Sequence, residues 1–129
     1  MTPLEKLKRA EKLIVQVNRG SFVLVVEGKR DIAALANIGI TAKIITANGK
    51  PEGILKKISS IGLTPVVLFD FDKTGEERQS RFVELLIASD VVPEERIRQE
   101  FKRVFGLRFF EEADKKLDKI REKIAEKNR

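Results

Sequence analysis

The sequence predicts an α/β domain of three layers, in which helices cover both faces of a central, mostly parallel sheet of about four strands. Runs of about five β-branched or aromatic residues, such as residues 22–26, contain no alternating polar positions, which is typical of strands buried on both faces. Amphipathic segments separate these runs, and glycine, asparagine or proline marks the boundaries. Strands that alternate with helices form parallel sheets through crossover connections.

The individual elements follow from these patterns. The predicted strands are residues 22–26, 42–46, 65–70 and, as a short fourth strand, 90–92. The predicted helices begin near residues 3, 30, 51, 74, 93 and 107. Thr2 and Glu5 predict a capping box at the first helix, and Thr74 and Glu77 predict another at the fourth. We therefore expect an N-terminal helix, an α/β core and a helical tail of residues 94–129.

Length and composition limit the chemistry of the chain. Its 129 residues predict a single domain, and the absence of a long apolar run predicts a cytoplasmic protein without a membrane partner. The sequence has no Cys and no His, which excludes disulfides, thiol nucleophiles, imidazole bases and zinc sites of the usual kind. A metal ion would need oxygen ligands, which favour Mg²⁺, Ca²⁺ or Mn²⁺.

The positive charge is concentrated at the two ends of the chain. The formal net charge is +6, with 26 Lys and Arg against 20 Asp and Glu, while residues 21–93 hold equal numbers of both signs. A basic surround beside an acidic site suits a metal-dependent enzyme of nucleic acids, although helices with mixed charges are also ordinary solvated surfaces. The candidate phosphate contacts in the ends are Lys8, Arg9, Lys12, Arg98, Lys102, Arg103, Lys116 and Lys123.

Acidic residues follow two of the predicted strands. Glu27 comes directly after the first strand, where Gly28 permits a turn, and a carboxylate at that point must emerge at the sheet edge. Asp70 and Asp72 end the third strand with their side chains on one side, while Phe71 points to the core. Two carboxylates this close repel each other, and a divalent cation relieves the repulsion.

These elements together resemble the Toprim domain superfamily over residues 20–93. The resemblance rests on E-G-x-x-D at residues 27–31 and D-x-D-x-x-G at residues 70–75, each after a hydrophobic strand. It implies that Glu27 acts in acid/base catalysis beside the metal, and that Asp70 and Asp72 bind Mg²⁺ or Mn²⁺. Asp31 and Gly75 match supporting positions of the turns. Among Toprim proteins, the chain is most similar to the small endonucleases that mature 5S ribosomal RNA.

The resulting hypothesis is a Toprim-type enzyme of phosphodiester chemistry on nucleic acid, with RNA favoured over DNA and a protein partner as a possible source of specificity. Lys29, Lys50 and Lys73 stand beside the three strand ends and are candidate phosphate contacts. Two alternatives stay open. One is a non-catalytic, metal-binding module for RNA or protein. The other is a haloacid-dehalogenase-like phosphatase, because residues 70–74 also fit D-x-D-x-T.

Overall fold

The computed structural model describes residues 1–127 and gives an α/β fold, which confirms the predicted class. Within that range the structure has three strands and six α-helices, and helices alternate with the strands through residue 88. In chain order the elements are α1 (Pro3–Arg19), β1 (Phe22–Val26), α2 (Lys29–Asn37), β2 (Lys43–Thr46), α3 (Pro51–Ile61), β3 (Thr64–Val67), α4 (Lys73–Ala88), α5 (Arg96–Phe105), a 3₁₀ turn (Phe110–Glu112) and α6 (Ala113–Lys127).

The three strands form one parallel sheet in the order β2-β1-β3. Strand β1 lies in the centre, where Val25 pairs with Ile45 on one side and with Val67 on the other. Because β1 has a neighbour at both edges and helices on both faces, its last four residues are completely buried. All three strands therefore deliver the residues that follow them to the same edge of the sheet.

Helices pack on both faces of the sheet through two separate clusters of buried residues. On one face, Leu24 and Val26 pack with residues of α1, α2, α5 and α6. On the other face, Val23 and Val25 pack with residues of α3 and α4. The predicted helical tail is therefore part of the core, because Phe101, Phe110 and other tail residues are fully buried in the first cluster.

The predicted fourth strand is not a strand in the part of the chain that the structure describes. After α4, the backbone of Asp90 turns with a positive φ of 62°, which breaks an extended run before it begins. Val92 is 77% exposed, and Pro93 has no N–H to donate to a sheet. One backbone hydrogen bond, from Glu94 N to Pro65 O at 3.0 Å, links the end of this segment to β3.

The starts of the helices agree with the prediction at some positions and differ at others. Thr2 caps α1 by accepting from the backbone N–H of Glu5, with Pro3 at the first helical position. The predicted capping box at Thr74 is wrong, because Asp72 caps α4 instead. The last helix begins at Ala113 rather than near residue 107, after the 3₁₀ turn. Nowhere in residues 1–127 is a helix both long and apolar enough to cross a membrane.

Candidate functional site

Two acidic residues meet where the central strand and its neighbour end. Glu27 follows β1, and Asp70 follows β3 after two further buried residues, Leu68 and Phe69. Both acids are half-buried, and their carboxyl groups lie within hydrogen-bonding reach of each other. The structure therefore places these two residues at the same edge of the sheet.

The environment of Asp70 favours its protonated form. Burial, the hydrogen bond with Glu27 and the negative charges of Glu27 and Asp31 raise the pKa of Asp70 to about 7. The backbone N–H of Phe110 opposes this shift by donating to Asp70 Oδ1 at 2.9 Å. Asp70 thus keeps its proton over a pH range in which an ordinary carboxyl group is ionised, and a cation beside it would relieve the same repulsion from Glu27.

Asp31 closes the turn that follows Glu27. Its Oδ2 accepts from the backbone N–H of Gly28 at 3.0 Å, at the start of α2. Asp31 is only 6% exposed, and burial together with the charge of Glu27 raises its pKa, while the Gly28 hydrogen bond opposes that rise. Asp31 therefore fixes the backbone beside Glu27, as the turn-supporting position implied.

Asp72 does not join Glu27 and Asp70 in one cluster. Strand β3 ends at Val67, so residues 70–72 lie in a loop and the two-residue strand spacing no longer sets their directions. The Oδ1 atom of Asp72 accepts from Gly75 N at 2.9 Å and caps α4. In the described range 1–127, no three acidic side chains are arranged to hold one metal ion. The expectation that both aspartates face one cleft is corrected accordingly.

Gly75 is required by the compact turn between Asp70 and α4. A Cβ atom built on Gly75 would lie 2.2 Å from the backbone oxygen of Asp70 and 2.7 Å from Asp72 Oδ1. These contacts are far shorter than a carbon and an oxygen atom tolerate, so no other residue fits without displacing the loop. The loop and the first turn of α4 are packed directly on each other.

Sequence analysis named Arg98 of α5 as a candidate phosphate contact, but this residue instead holds the backbone of the Asp70 loop. Its side chain is buried, and its Nε donates to Phe69 O at 3.0 Å while Nη2 donates to Asp70 O at 2.8 Å. The guanidinium group also pairs with Glu76 and lies 4.2 Å from the centre of the Phe71 ring. Arg98 is therefore unavailable to phosphate, which corrects its place among the candidate contacts.

Gln79 of α4 holds the same segment from the other side. Its Nε2 donates to Val67 O at 3.0 Å, and its Oε1 accepts from Phe69 N at 3.2 Å. These are the backbone groups that a further strand would bind at the free edge of β3. A hydrogen bond from Phe71 N to Arg108 O at 2.8 Å adds a third tie, so α4, α5 and the segment after α5 together position Asp70.

The three candidate lysines stand at the beginnings of three helices around this edge. Lys29 and Lys73 are the first residues of α2 and α4, and Lys50 is the N-cap of α3. All three are exposed. A cation at a helix N-terminus is destabilising, because the helix dipole is positive there. Lysines at these positions therefore do not stabilise their helices but would attract an anion.

A pocket of about 450 Å³ opens beside Glu27, between α3 and α4. We refer to it as the α3–α4 pocket. Its apolar floor is formed by Ile54, Phe69, Phe82 and Leu85. Its rim carries Asn48 and Gly49 from the end of β2, with Arg78 and Arg81 from α4. Arg78 lies 3.3 Å from Glu27 Oε1 and connects the pocket to the acidic pair. The two arginines were missed by sequence analysis.

The acidic pair fits a hard divalent cation. Glu27 and Asp70 supply carboxylate oxygens, and a bound cation would remove the repulsion by which the charge of Glu27 raises the pKa of Asp70. Mg²⁺ is commonly held by one or two carboxylates, with water and substrate phosphate as its other ligands, so a third carboxylate is not needed. One carboxylate oxygen of Asp72 caps α4, so the main role of this residue is to fix the conformation of the loop.

Comparisons with known proteins place the chain among archaeal relatives. It is 33% identical over 100 residues to a UPF0292 protein of Thermococcus onnurineus and 34% identical over 100 residues to one of Thermococcus gammatolerans. Each alignment covers 78% of this chain and 75% of the relative. A UPF0292 protein of Methanosarcina acetivorans is 26% identical over 81% of this chain and 78% of the relative.

A solved structure from Aquifex aeolicus has a similar fold. It matches with a TM-score of 0.70 and 25% sequence identity, over 79% of this chain and 95% of that chain. No protein-family model matches the sequence. The identity to the two Thermococcus proteins, over three quarters of their length, shows that this chain belongs to the UPF0292 family.

Proposed function

We propose that this chain is a Toprim-type, Mg²⁺-dependent enzyme of phosphodiester chemistry on nucleic acid, most simply an RNA endonuclease. The observation that carries the proposal is the meeting of Glu27 and Asp70 at the carboxyl ends of two adjacent parallel strands. Ligands of open α/β sheets bind at this edge. The two sequence elements that resemble Toprim are thus the two that supply the pair.

The organisation of the domain supports the same family. The resemblance implies three layers with a central parallel sheet, and here helices pack on both faces of β1 through separate buried clusters. The three-stranded sheet is smaller than the sequence suggested, but its two paired strands β1 and β3 are the ones that end in the acidic elements. The tail helices α5 and α6 complete one layer.

In this proposal Glu27 and Asp70 hold Mg²⁺ or Mn²⁺, and Asp72 contributes its second oxygen or only shapes the loop. The bound ion would neutralise charge on the scissile phosphate. Glu27 handles the proton transfer, either from the attacking water or to the leaving oxygen. Without metal, burial and the hydrogen bond with Glu27 raise the pKa of Asp70 to about 7, and a bound ion would displace the proton of Asp70.

Positive groups around the pair favour a phosphate backbone as substrate. Lys29, Lys50 and Lys73 begin the three helices that surround the edge, where each helix N-terminus also attracts anions. Arg78 already contacts Glu27 and is free to turn toward an incoming phosphate, since its side chain is more than half exposed. A polyanion would thus be drawn to carboxylates that would otherwise repel it.

Cleavage of labelled nucleic acids by the full chain tests the proposal. A structured RNA and single- and double-stranded DNA of the same sequence are incubated with Mg²⁺, Mn²⁺ or EDTA. We expect cleavage that needs the metal, is greatest on RNA and is lost in Glu27→Gln and Asp70→Asn. Asp118→Asn, an exposed acid on α6, is the matched control and should retain it.

Two other outcomes would favour the alternatives. Tight RNA binding without cleavage by any metal would indicate a non-catalytic module. Steady hydrolysis of a generic phosphomonoester that disappears in Asp70→Asn would indicate a phosphatase that uses Asp70 as its nucleophile.

A further inference from the structure

We propose that the α3–α4 pocket binds a single nucleotide, with the base on the apolar floor and the phosphate at Arg81. This inference rests on the proposed function for its biological setting, because it names what the site would select from a nucleic acid. The binding itself depends only on the pocket. Its volume of about 450 Å³ is within the range of roughly 300–1,000 Å³ found for small-molecule sites.

The floor of the pocket is apolar and largely buried. Phe69 and Phe82 are buried, and their ring centroids lie 5.7 Å apart at an interplanar angle of 55°. Ile54 is also buried in the same core cluster, while Leu85 is half-buried and closes the floor. A flat, largely apolar group such as a nucleobase would bury its faces here without disturbing the core. A bare phosphate would gain nothing from this floor.

The rim of the pocket is polar and mainly positive. Arg78 and Arg81 are three residues apart on α4 and both line the pocket, on one side of the helix. Within residues 1–127 Arg81 forms no ion pair, and it is exposed, so its guanidinium group is available to a phosphate. A purely apolar ligand would have no use for these arginines.

The opposite rim supplies groups suited to the edge of a base. Asn48 is exposed and carries both a donor and an acceptor, which is the combination that pairs with nucleobase edges. Gly49 and Pro51 also line the pocket, at the start of α3, and Lys50 gives that helix no side-chain cap. The uncapped N-terminus adds to the attraction for a phosphate.

Glu27 belongs both to the pocket and to the acidic pair. A nucleotide seated in the pocket would therefore lie beside the proposed reaction centre. The ligand is either a free nucleotide or one nucleotide of a strand that runs past Glu27. Both have the same base, sugar and phosphate, and their affinities distinguish them.

Titration of the full chain in EDTA tests the inference without metal or catalysis. The probes are AMP, GMP, CMP and UMP, with ribose 5-phosphate and inorganic phosphate as controls, followed by backbone amide NMR shifts. We expect at least one nucleotide to shift the amides of residues 47–49 and 81–85 and to bind at least about tenfold tighter than ribose 5-phosphate. Arg81→Gln should lower that affinity by about tenfold, because it removes a charged hydrogen bond.

Matched variants and an oligonucleotide decide the remaining points. Asn48→Leu should weaken nucleotide binding and change the preference among bases, whereas Arg121→Gln, an exposed change on α6 across the sheet, should leave the affinity unchanged. Much tighter binding of a four-nucleotide RNA at the same amides assigns the pocket to a strand, and equal binding assigns it to a free nucleotide. The inference is overturned if no nucleotide binds more tightly than ribose 5-phosphate, or if Arg81→Gln and Arg121→Gln change the affinity equally. If only cleavage fails, the proposed function is wrong and the pocket stands.

Discussion

The carboxyl group of Asp70 lies within hydrogen-bonding reach of the carboxyl group of Glu27, across the pairing of β3 with β1. The parallel register of the two strands places these residues together although they are far apart in the chain. The negative charge of Glu27 disfavours the ionised form of Asp70, and a proton or a cation at Asp70 relieves this repulsion. Three predictions follow from this pair and the loop that supports it, and a fourth follows from Arg98.

The first prediction concerns stability against pH without metal. The pKa of Asp70 is about 7 in the folded chain, against the ordinary value of 3.8 when unfolded. Between these values the folded state holds a proton that the unfolded state has released, so stability falls as pH rises toward about 7. The raised pKa of Asp31 likewise makes stability fall as pH rises. The pKa of Asp114 is lowered mainly by its hydrogen bond with Asn37, so this residue makes stability rise with pH.

Urea unfolding in EDTA across this pH interval provides the measurement. We expect the free energy of unfolding of the wild type to decrease with pH and that of Asp70→Asn to decrease less, because Asn cannot lose the proton. Near neutral pH the variant should therefore be the more stable protein. An equal pH dependence in both proteins would show that Asp70 titrates in its ordinary range.

The second prediction concerns metal binding. Asp70→Asn should abolish the binding of Mn²⁺ measured by calorimetry, alone or together with Asp72→Asn, and Glu27→Gln should weaken it strongly. Asp72→Asn alone should keep the fold, because Asn caps helices as well as Asp does, and should reduce affinity less. Wild-type affinity in Asp70→Asn would remove this residue from the proposed ligands. Asp118→Asn serves as the charge-matched control.

The third prediction concerns Gly75. Gly75→Ala should destabilise the chain by about 3 kcal/mol, because the new Cβ would lie 2.2 Å from Asp70 O and overpack the turn. Gly53→Ala is the matched control, since Gly53 lies inside α3 and a Cβ there meets nothing within 4 Å. That change should stabilise the helix by up to about 1 kcal/mol. Thermal unfolding of both variants compares them, and equal effects would contradict the close packing.

Local patterns predicted most of the fold. Buried strands, helix caps such as Thr2 and terminating glycines such as Gly62 depend on neighbours in sequence, and these features agree with the structure. The predictions failed where the composition of a segment did not determine its conformation. Residues 90–92 have the β-branched composition of a strand, but the turn at Asp90 and the proline at 93 leave no extended segment to pair.

The site was predictable in part for the same reason. Parallel strands bring Glu27 and Asp70 to one edge of the sheet even if the exact strand ends are mispredicted. The direction of the Asp72 side chain, in contrast, depends on where β3 ends and α4 begins. The hydrogen bonds between the tail and the Asp70 loop join residues far apart in the sequence, so no local pattern predicts them. One hint was present: Arg98 lies three residues before Phe101, on the buried side of α5, where a solvated arginine would not be placed.

The last prediction tests the hydrogen bonds between Arg98 and the Asp70 loop. Arg98→Lys should destabilise the chain by about 3 kcal/mol, because a lysine cannot donate along the two directions taken by Nε and Nη2 and leaves Phe69 O or Asp70 O without a buried partner. Arg98→Leu should also destabilise the chain, because it removes both donors and the charge and leaves the same oxygens unpaired. Glu76→Gln should cost less, since Glu76 is nearly half exposed and water replaces its role in the pair.

A general loss of stability does not by itself establish a positioning role, so the readout must come from Asp70. With the Phe69–Asp70 backbone released, the contact of Asp70 with Glu27 loosens, and the pKa of Asp70 measured by carboxyl NMR in EDTA should fall from about 7 toward its ordinary value. Mn²⁺ affinity should fall with it. Arg103→Lys, an exposed change on the same helix, should alter neither quantity and should change stability by no more than about 0.5 kcal/mol. An unchanged pKa of Asp70 in folded Arg98→Lys would mean that α5 supports the core but does not position the acid.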